Sequence, residues 1–382
     1  MSIVNPLQKV NTRKEFMDEL GSLIAPPKVE VTDSGELRGR PTLLKSYLIE
    51  TNSPLTRDYV FDHTIATIED TGLDEIKILT MRTQLDSPKA VSAQFYLDVS
   101  DRRFWVLHTN YRAEETHPFV ERLITSQDHE FDNAWLSTNA MKQVAGDAGN
   151  KDYGFQVDYQ DFFDRSDDED DITPQEDFHL ETTGTISAKA LSLLKKDPLV
   201  RRTIGYERIT IGRGTRSRGV LEDITCNGRF SVIKGKSVDD HMVLVNAIKS
   251  DYIGQVKKIE SQRIHGNIEN KSVEGTAFDF EFERDVSDWN RYLSVIFNAK
   301  APFRLWGIKS KVNEKVFRVL AVDMHTGHPV DFEITDHLIR MYLPNGSCGN
   351  VVLRLFVNLQ RYFDSGINCP LLQGSGRYVE AE

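Results

Sequence analysis

The stretch Asp164–Asp177, DRSDDEDDITPQED, constrains this chain more than any other. It holds eight carboxylates, Asp164, Asp167, Asp168, Glu169, Asp170, Asp171, Glu176 and Asp177, against the single Arg165. Like charges at this density repel and gain nothing by burial, so the run is expected to be solvated and extended. Pro174 lacks a backbone donor and opposes a helix through it. The run reads as a linker over 164–177, between an acidic domain at 1–163 and a mildly basic domain at 178–382.

The charge divides at the same place. Residues 179–382 hold 29 Lys and Arg against 24 Asp and Glu, whereas residues 1–178 hold 18 against 34. The net charge of −11 therefore conceals an acidic first half and a basic second half. That asymmetry suits a polyanionic partner for the second half.

At 382 residues, two domains are expected, each large enough to bury its own core. A hydrophobic fraction of 39% with 20 Phe belongs to globular domains, not to a disordered chain. No run approaches ~18 consecutive apolar residues, so no membrane span is expected. The first residues, MSIVNPLQKVNTRKEF, lack the apolar centre of a secretory signal. Cys226, Cys348 and Cys369 are widely spaced and form neither a CxxC pair nor an even disulfide framework. Reduced, buried thiols and a cytoplasmic location are the expectation.

Along the chain, Phe16, Leu20 and Leu23 fall at helical spacing after the N-cap candidate Thr12. Residues 30–56 are mixed, with a turn at Asp33-Ser34-Gly35. Tyr59–Ile68 and Ile76–Met81 read as strands, and Val91–Val99 with Phe104–His108 as a hairpin around Ser100-Asp101-Arg102. Helices are expected at Glu114–Thr125 and Asn133–Ala145.

In the second half, Phe178–Thr183 and Tyr206–Ile211 read as strands, and Ser187–Lys196 as a helix stopped by Pro198. Asn227-Gly228 is the strongest turn signal, because both residues tolerate positive φ. It should join Val220–Thr225 to Arg229–Ile233. Ser237 and Asp240 resemble a capping box opening a helix to about Glu260. Ala277–Glu283 reads as a strand, Val286–Asn298 as an amphipathic helix, and Phe303–Ile308, Lys315–Met324 and Val330–Ile334 as a meander. Asn350–Phe363 is a final helix. Hairpins dominate over crossovers, which gives an α+β class with mostly antiparallel mixed sheets and flanking helices.

Four constellations carry chemistry. Between Lys195 and Arg218 lie eight basic residues, among them Arg201, Arg202 and the loop arginines Arg213, Arg216 and Arg218, against Asp197 and Glu207. Glycine lets backbone approach a phosphate, and arginine binds phosphate oxygens as a fork. The loop Gly212–Gly219 lacks both GK[ST] and GxGxxG, so it matches no nucleotide loop. The alternative is a surface loop whose arginines contact the acidic run. Second, Arg284–Arg318 holds eight basic and three acidic residues, interleaved with Trp289, Tyr292, Phe297, Phe303, Trp306 and Phe317. Basic groups beside aromatics suit single-stranded nucleic acid, while the helix and strand positions of these rings suit a core.

Third, Asp323, His325, His328, Asp331 and Glu333 lie within eleven residues. A hairpin turning at Thr326-Gly327 is preferred over a metal site, since strand alternation sends these side chains to different faces. Fourth, Asp74, Glu75 and Lys77, with Asp62 or Asp70, have the residue types of a metal-dependent nuclease. No G-x-S-x-G supports a serine hydrolase.

The expected protein is cytoplasmic and non-catalytic, needs no cofactor, and binds nucleic acid or a nucleoprotein through its basic half. Arg201, Arg202, Arg213, Arg216 and Arg218 are the candidate contacts, shielded by the acidic half and linker. The alternatives are a metal-dependent nuclease or phosphohydrolase and a protein-interaction subunit of a larger complex.

Overall fold

The structure, a computed structural model, describes residues 7–24, 30–31, 37–38, 43–52, 58–61, 64–83, 92–125, 130–163, 177–184, 186–215, 219–267 and 271–373. In chain order the elements begin α1 (Arg13–Ile24), β1 (Glu30–Val31), β2 (Leu37–Arg38), β3 (Lys45–Thr51), β4 (Asp58–Phe61), β5 (Thr64–Asp70) and β6 (Ile76–Thr83). Then come β7 (Ser92–Asp98), β8 (Phe104–Thr109), α2 (Ala113–Thr125), β9 (Phe131–Asn133), α3 (Thr138–Gly146), β10 (Asn150–Gln160) and β11 (Asp177–Thr183). Next are α4 (Ser187–Leu194), α5 (Pro198–Thr203), β12 (Tyr206–Arg213), β13 (Val220–Thr225), β14 (Arg229–Gly235), α6 (Val238–Glu260), β15 (His265–Asn267) and β16 (Ser272–Glu274). The chain closes with β17 (Phe278–Glu281), α7 (Trp289–Ile296), β18 (Leu305–Asn313), β19 (Val316–Asp323), β20 (Pro329–Ile334), β21 (Leu338–Tyr342), α8 (Asn350–Tyr362) and α9 (Pro370–Gln373). Helices and antiparallel sheets make an α+β protein. Among the described residues no helix is long and apolar enough to cross a membrane.

The chain divides into two compact units, and the acidic run is not the boundary between them. Unit 1 comprises 1–134, 148–151 and 210–249, and unit 2 comprises 135–147, 152–209 and 250–382. Asp164–Glu176 lie outside the described residues, but the strands beside them pair with each other, from Gly154↔Thr183 to Gln160↔Asp177. β10 and β11, which flank the run in sequence, form an antiparallel pair within unit 2. Residues of the second half also complete the first unit, because β14 pairs with β3 through Arg229↔Tyr47 and Ser231↔Lys45.

Unit 1 is a sheet ordered β13-β14-β3-β8-β7-β6-β5-β4. One face packs against α2, where Tyr47, Ile49, Phe95, Trp105 and Leu107 meet Phe119, Val120 and Leu123. The other packs against α1 and the first turns of α6, where Ile76, Ile78 and Tyr96 meet Phe16, Leu20 and Met242. Thr12 Oγ1 accepts from the Glu15 amide at 3.1 Å and Ser237 Oγ from the Asp240 amide at 3.1 Å, so both expected caps open their helices. Asn227-Gly228 turns the β13–β14 hairpin, with Gly228 at φ 75°. The helix expected from Asn133 starts only at Thr138, where Ser137 caps it, because Phe131–Asn133 pairs with β3 instead.

Unit 2 holds the β10–β11 hairpin and a five-stranded antiparallel sheet ordered β17-β21-β20-β19-β18. Its inner face buries Phe278, Phe280, Phe332, Ile339 and Met341, with Phe280 6.0 Å from Phe356 of α8. Buried arginines here meet carboxylates: Arg354 pairs with Asp323, and Arg284 with Asp161.

Candidate nucleic-acid interface

Within unit 2, α4 and α5 carry the first half of the expected basic cluster. Their sequence, SAKALSLL then PLVRRT, has strong helix formers but few residues that become buried. Ser187 is the buried residue of α4, and α5 has none. The pair is held by its backbone instead. The Ser365 amide donates to Arg202 O at 2.8 Å and Ser365 Oγ to Arg201 O at 2.6 Å. Asp197 opens α5 ahead of Pro198, its Oδ1 accepting from the amides of Leu199 at 2.9 Å and Val200 at 3.1 Å.

This arrangement leaves the cations outward and largely unmatched. Among the described residues Lys189, Lys195, Lys196 and Arg202 form no ion pair, and Arg201 reaches the exposed Glu283 only at 3.5 Å. Glu207, the other acid of the cluster, is engaged by Arg361. Ile186, Leu193 and Leu199 are exposed on the same segment, at 65%, 56% and 65%. Such a surface offers charge for phosphates and apolar area beside it.

The remaining expected contacts fall elsewhere. Arg208 pairs with Glu181 at 2.5 Å. Arg213 ends β12 in unit 1, and its Nη1 donates to Asn150 Oδ1 at 2.9 Å, so its fork is partly committed. Arg216 and Arg218 lie outside the described residues, as does Asp62.

Of the aromatic and basic run, Tyr292, Phe297 and Phe303 are core residues, whereas Trp306 is 49% exposed. It stands on the edge strand β18 opposite Val322, and Ile308 stands opposite Leu320. Ile308, Val312 and Leu320 are exposed too, at 62%, 58% and 63%. Exposed Lys309 and Lys311 alternate with them and, among the described residues, form no ion pair.

The two catalytic candidates resolve differently. Lys77 pairs with Asp70 at 2.9 Å across β5 and β6. Among the described residues, Asp70, Asp74 and Glu75 do not gather as metal ligands. The Asp323–Glu333 stretch is the expected hairpin, turning at Gly327 with φ 70°. Asp323 faces inward to Arg354, while Asp331 is half-exposed.

Unit 1 contains a polar chain that no sequence motif announces. Ser46 Oγ lies 2.7 Å from His108 Nδ1 and 2.8 Å from His241 Nε2, and His241 Nδ1 lies 2.7 Å from Glu222 Oε2. A carboxylate accepts, so His241 Nδ1 donates to Glu222, and the Ser46 hydroxyl bridges the two imidazoles. The order resembles nucleophile, base and orienting acid. All four side chains are wholly buried, however, so this hydroxyl meets no substrate. Burial pushes the His108 imidazolium down to about 3, opposed by the Asp98 carboxylate.

A family profile described as MJECL33-like protein matches residues 4–374, and the chain belongs to that family. The chain is similar to the uncharacterized protein MJECL33 of Methanocaldococcus jannaschii, with 26% identity over 379 residues, covering 88% of each chain.

Proposed function

We propose that this protein is a non-catalytic, cytoplasmic nucleic-acid- or nucleoprotein-binding protein and that α4 and α5 of unit 2 are its primary contact. One observation supports this reading above the others: Lys189, Lys195, Lys196 and Arg202 stand on an exposed segment without carboxylate partners among the described residues. Its one internal acid, Asp197, is occupied by backbone amides. A nucleic-acid backbone holds condensed counterions, and unmatched lysines and arginines that neutralise its phosphates release them with a gain in entropy. The acidic run Asp164–Asp177 is proposed to compete for this charge. A gel shift with a labelled oligonucleotide, with and without Mg²⁺, tests the reading. Retardation without cleavage is the expected result. Cleavage that requires Mg²⁺ would favour the nuclease reading, and no retardation would remove nucleic acid from consideration.

A second reading, a subunit that docks another protein, is favoured by the edge strand β18. Trp306, Ile308, Val312 and Leu320 present apolar area of the kind that partner surfaces cover.

A further inference from the structure

We propose that Lys45, His117 and Arg229 of unit 1 form a binding site for a doubly charged oxyanion, namely a terminal phosphate group. The sheet register builds it. Arg229 stands opposite Tyr47, and Ser231 opposite Lys45, so all four side chains leave the same face of β3 and β14. That is the face α2 covers. Tyr47 Oη meets Thr116 Oγ1 at 2.8 Å, and the Tyr47 and His117 rings are 5.9 Å apart. Arg229 Nη1 reaches His117 Nδ1 at 3.0 Å, and since arginine can only donate, the imidazole accepts. Lys45 Nζ donates to Tyr111 O at 2.7 Å and Leu43 O at 3.2 Å.

Among the described residues the cluster is short of negative charge. Arg103 pairs with Glu50, Arg284 with Asp161, Arg354 with Asp323 and Arg361 with Glu207. Arg229 has instead a histidine and a lysine for neighbours. Among the described residues its Nε is buried without a hydrogen-bond partner. Burial and the Arg229 charge push the Lys45 ammonium down to about 8, against the opposing pull of Glu115. Burial, Arg229 and Lys45 push His117 down to about 4. Glu115, which accepts from the Arg112 amide at 3.1 Å, does not cancel the excess. A recessed group of two cations beside a neutral imidazole, with an unmet N–H, matches a compact dianion, which supplies several acceptors at one point.

The site is independent of α4 and α5, and its test separates the two. Phosphate should raise the melting temperature of the full chain progressively with concentration, where chloride at matched ionic strength does not. A nucleoside 5′-monophosphate should act as phosphate does, and a dinucleoside monophosphate, which has only an internal diester, should not. Arg229→Met should weaken phosphate binding, measured by calorimetry, about tenfold or more, as expected when hydrogen bonds between charged groups are removed. It should not lower the melting temperature in phosphate-free buffer, because it removes an unmatched cation. Lys45→Met should likewise weaken binding. Replacing Lys195, Lys196, Arg201 and Arg202 with Ala should leave the phosphate response unchanged. No response of the wild-type chain to phosphate, an equal response in both methionine variants, or a response to the diester alone would overturn the site.

Discussion

Asp197 Oδ1 accepts the Leu199 amide at 2.9 Å, which turns the only carboxylate between Lys189 and Arg202 toward the backbone. A cap of this kind costs about 0.5–2 kcal/mol to remove. Asp197→Ala should therefore loosen α5 and lower stability by that order in urea denaturation. It should also strengthen nucleic-acid binding slightly, since a negative charge leaves the basic segment. Weaker binding by this variant would mean that α5 must be ordered to make its contacts.

Arg213 is expected to matter less than its neighbours in the loop. Its fork donates to Asn150, so Arg213→Ala should cost about 1 kcal/mol of stability for one hydrogen bond. Nucleic-acid affinity should change less than twofold. A tenfold fall in affinity measured by anisotropy would show that Arg213 leaves Asn150 for the ligand.

The buried pair of Arg354 and Asp323 should respond asymmetrically. Asp323→Asn leaves a wholly buried guanidinium without its counter-charge and should cost about 3–5 kcal/mol. The double replacement Asp323→Leu with Arg354→Met should recover most of that stability. Chemical denaturation of both variants measures it. A single variant destabilised by less than about 1 kcal/mol would contradict the pairing.

His108 predicts a pH dependence. Its folded value, about 3, lies below the ordinary histidine value of 6.5, so the unfolded chain binds the extra proton between them. Stability from this group is complete above 6.5 and is lost as pH falls toward 3. The slope is about 1.4 kcal/mol per pH unit within that window. His108→Gln should flatten the wild-type curve by this amount. Parallel curves for the two proteins over pH 4 to 6 would refute it.

Local signals in the sequence located much of the fold. Thr12, Ser237 and Asn227-Gly228 mark two helix starts and a hairpin because each acts within a few residues. The strand Lys45–Thr51 shows no clear alternation because Ser46, Glu50 and Thr51 interrupt its apolar pattern, although all three are buried. Their partners, His108 and His241 for Ser46 and Arg103 for Glu50, are distant in sequence. The acidic run is distinctive as a composition, but composition does not tell a connector between domains from a segment flanked by two paired strands of one unit. Arg201 and Arg202 are legible as charge. That Asp197 and Glu207 are occupied is not, because their partners depend on capping and tertiary contacts.

The role of α4 and α5 is decided by a salt series. A labelled oligonucleotide is titrated with the wild-type chain and with the variant carrying Ala at Lys195, Lys196, Arg201 and Arg202, and affinity is read by anisotropy at each salt concentration. The fold should be unaltered, since none of these exposed or half-buried side chains belongs to the core and surface charges contribute little to stability. The slope of log affinity against log salt should flatten by roughly 0.7 to 0.9 for each phosphate that the variant no longer neutralises. Deleting Asp167–Asp171 should act in the opposite sense and strengthen binding. An unchanged affinity and slope in the four-residue variant would exclude α4 and α5 as the nucleic-acid contact.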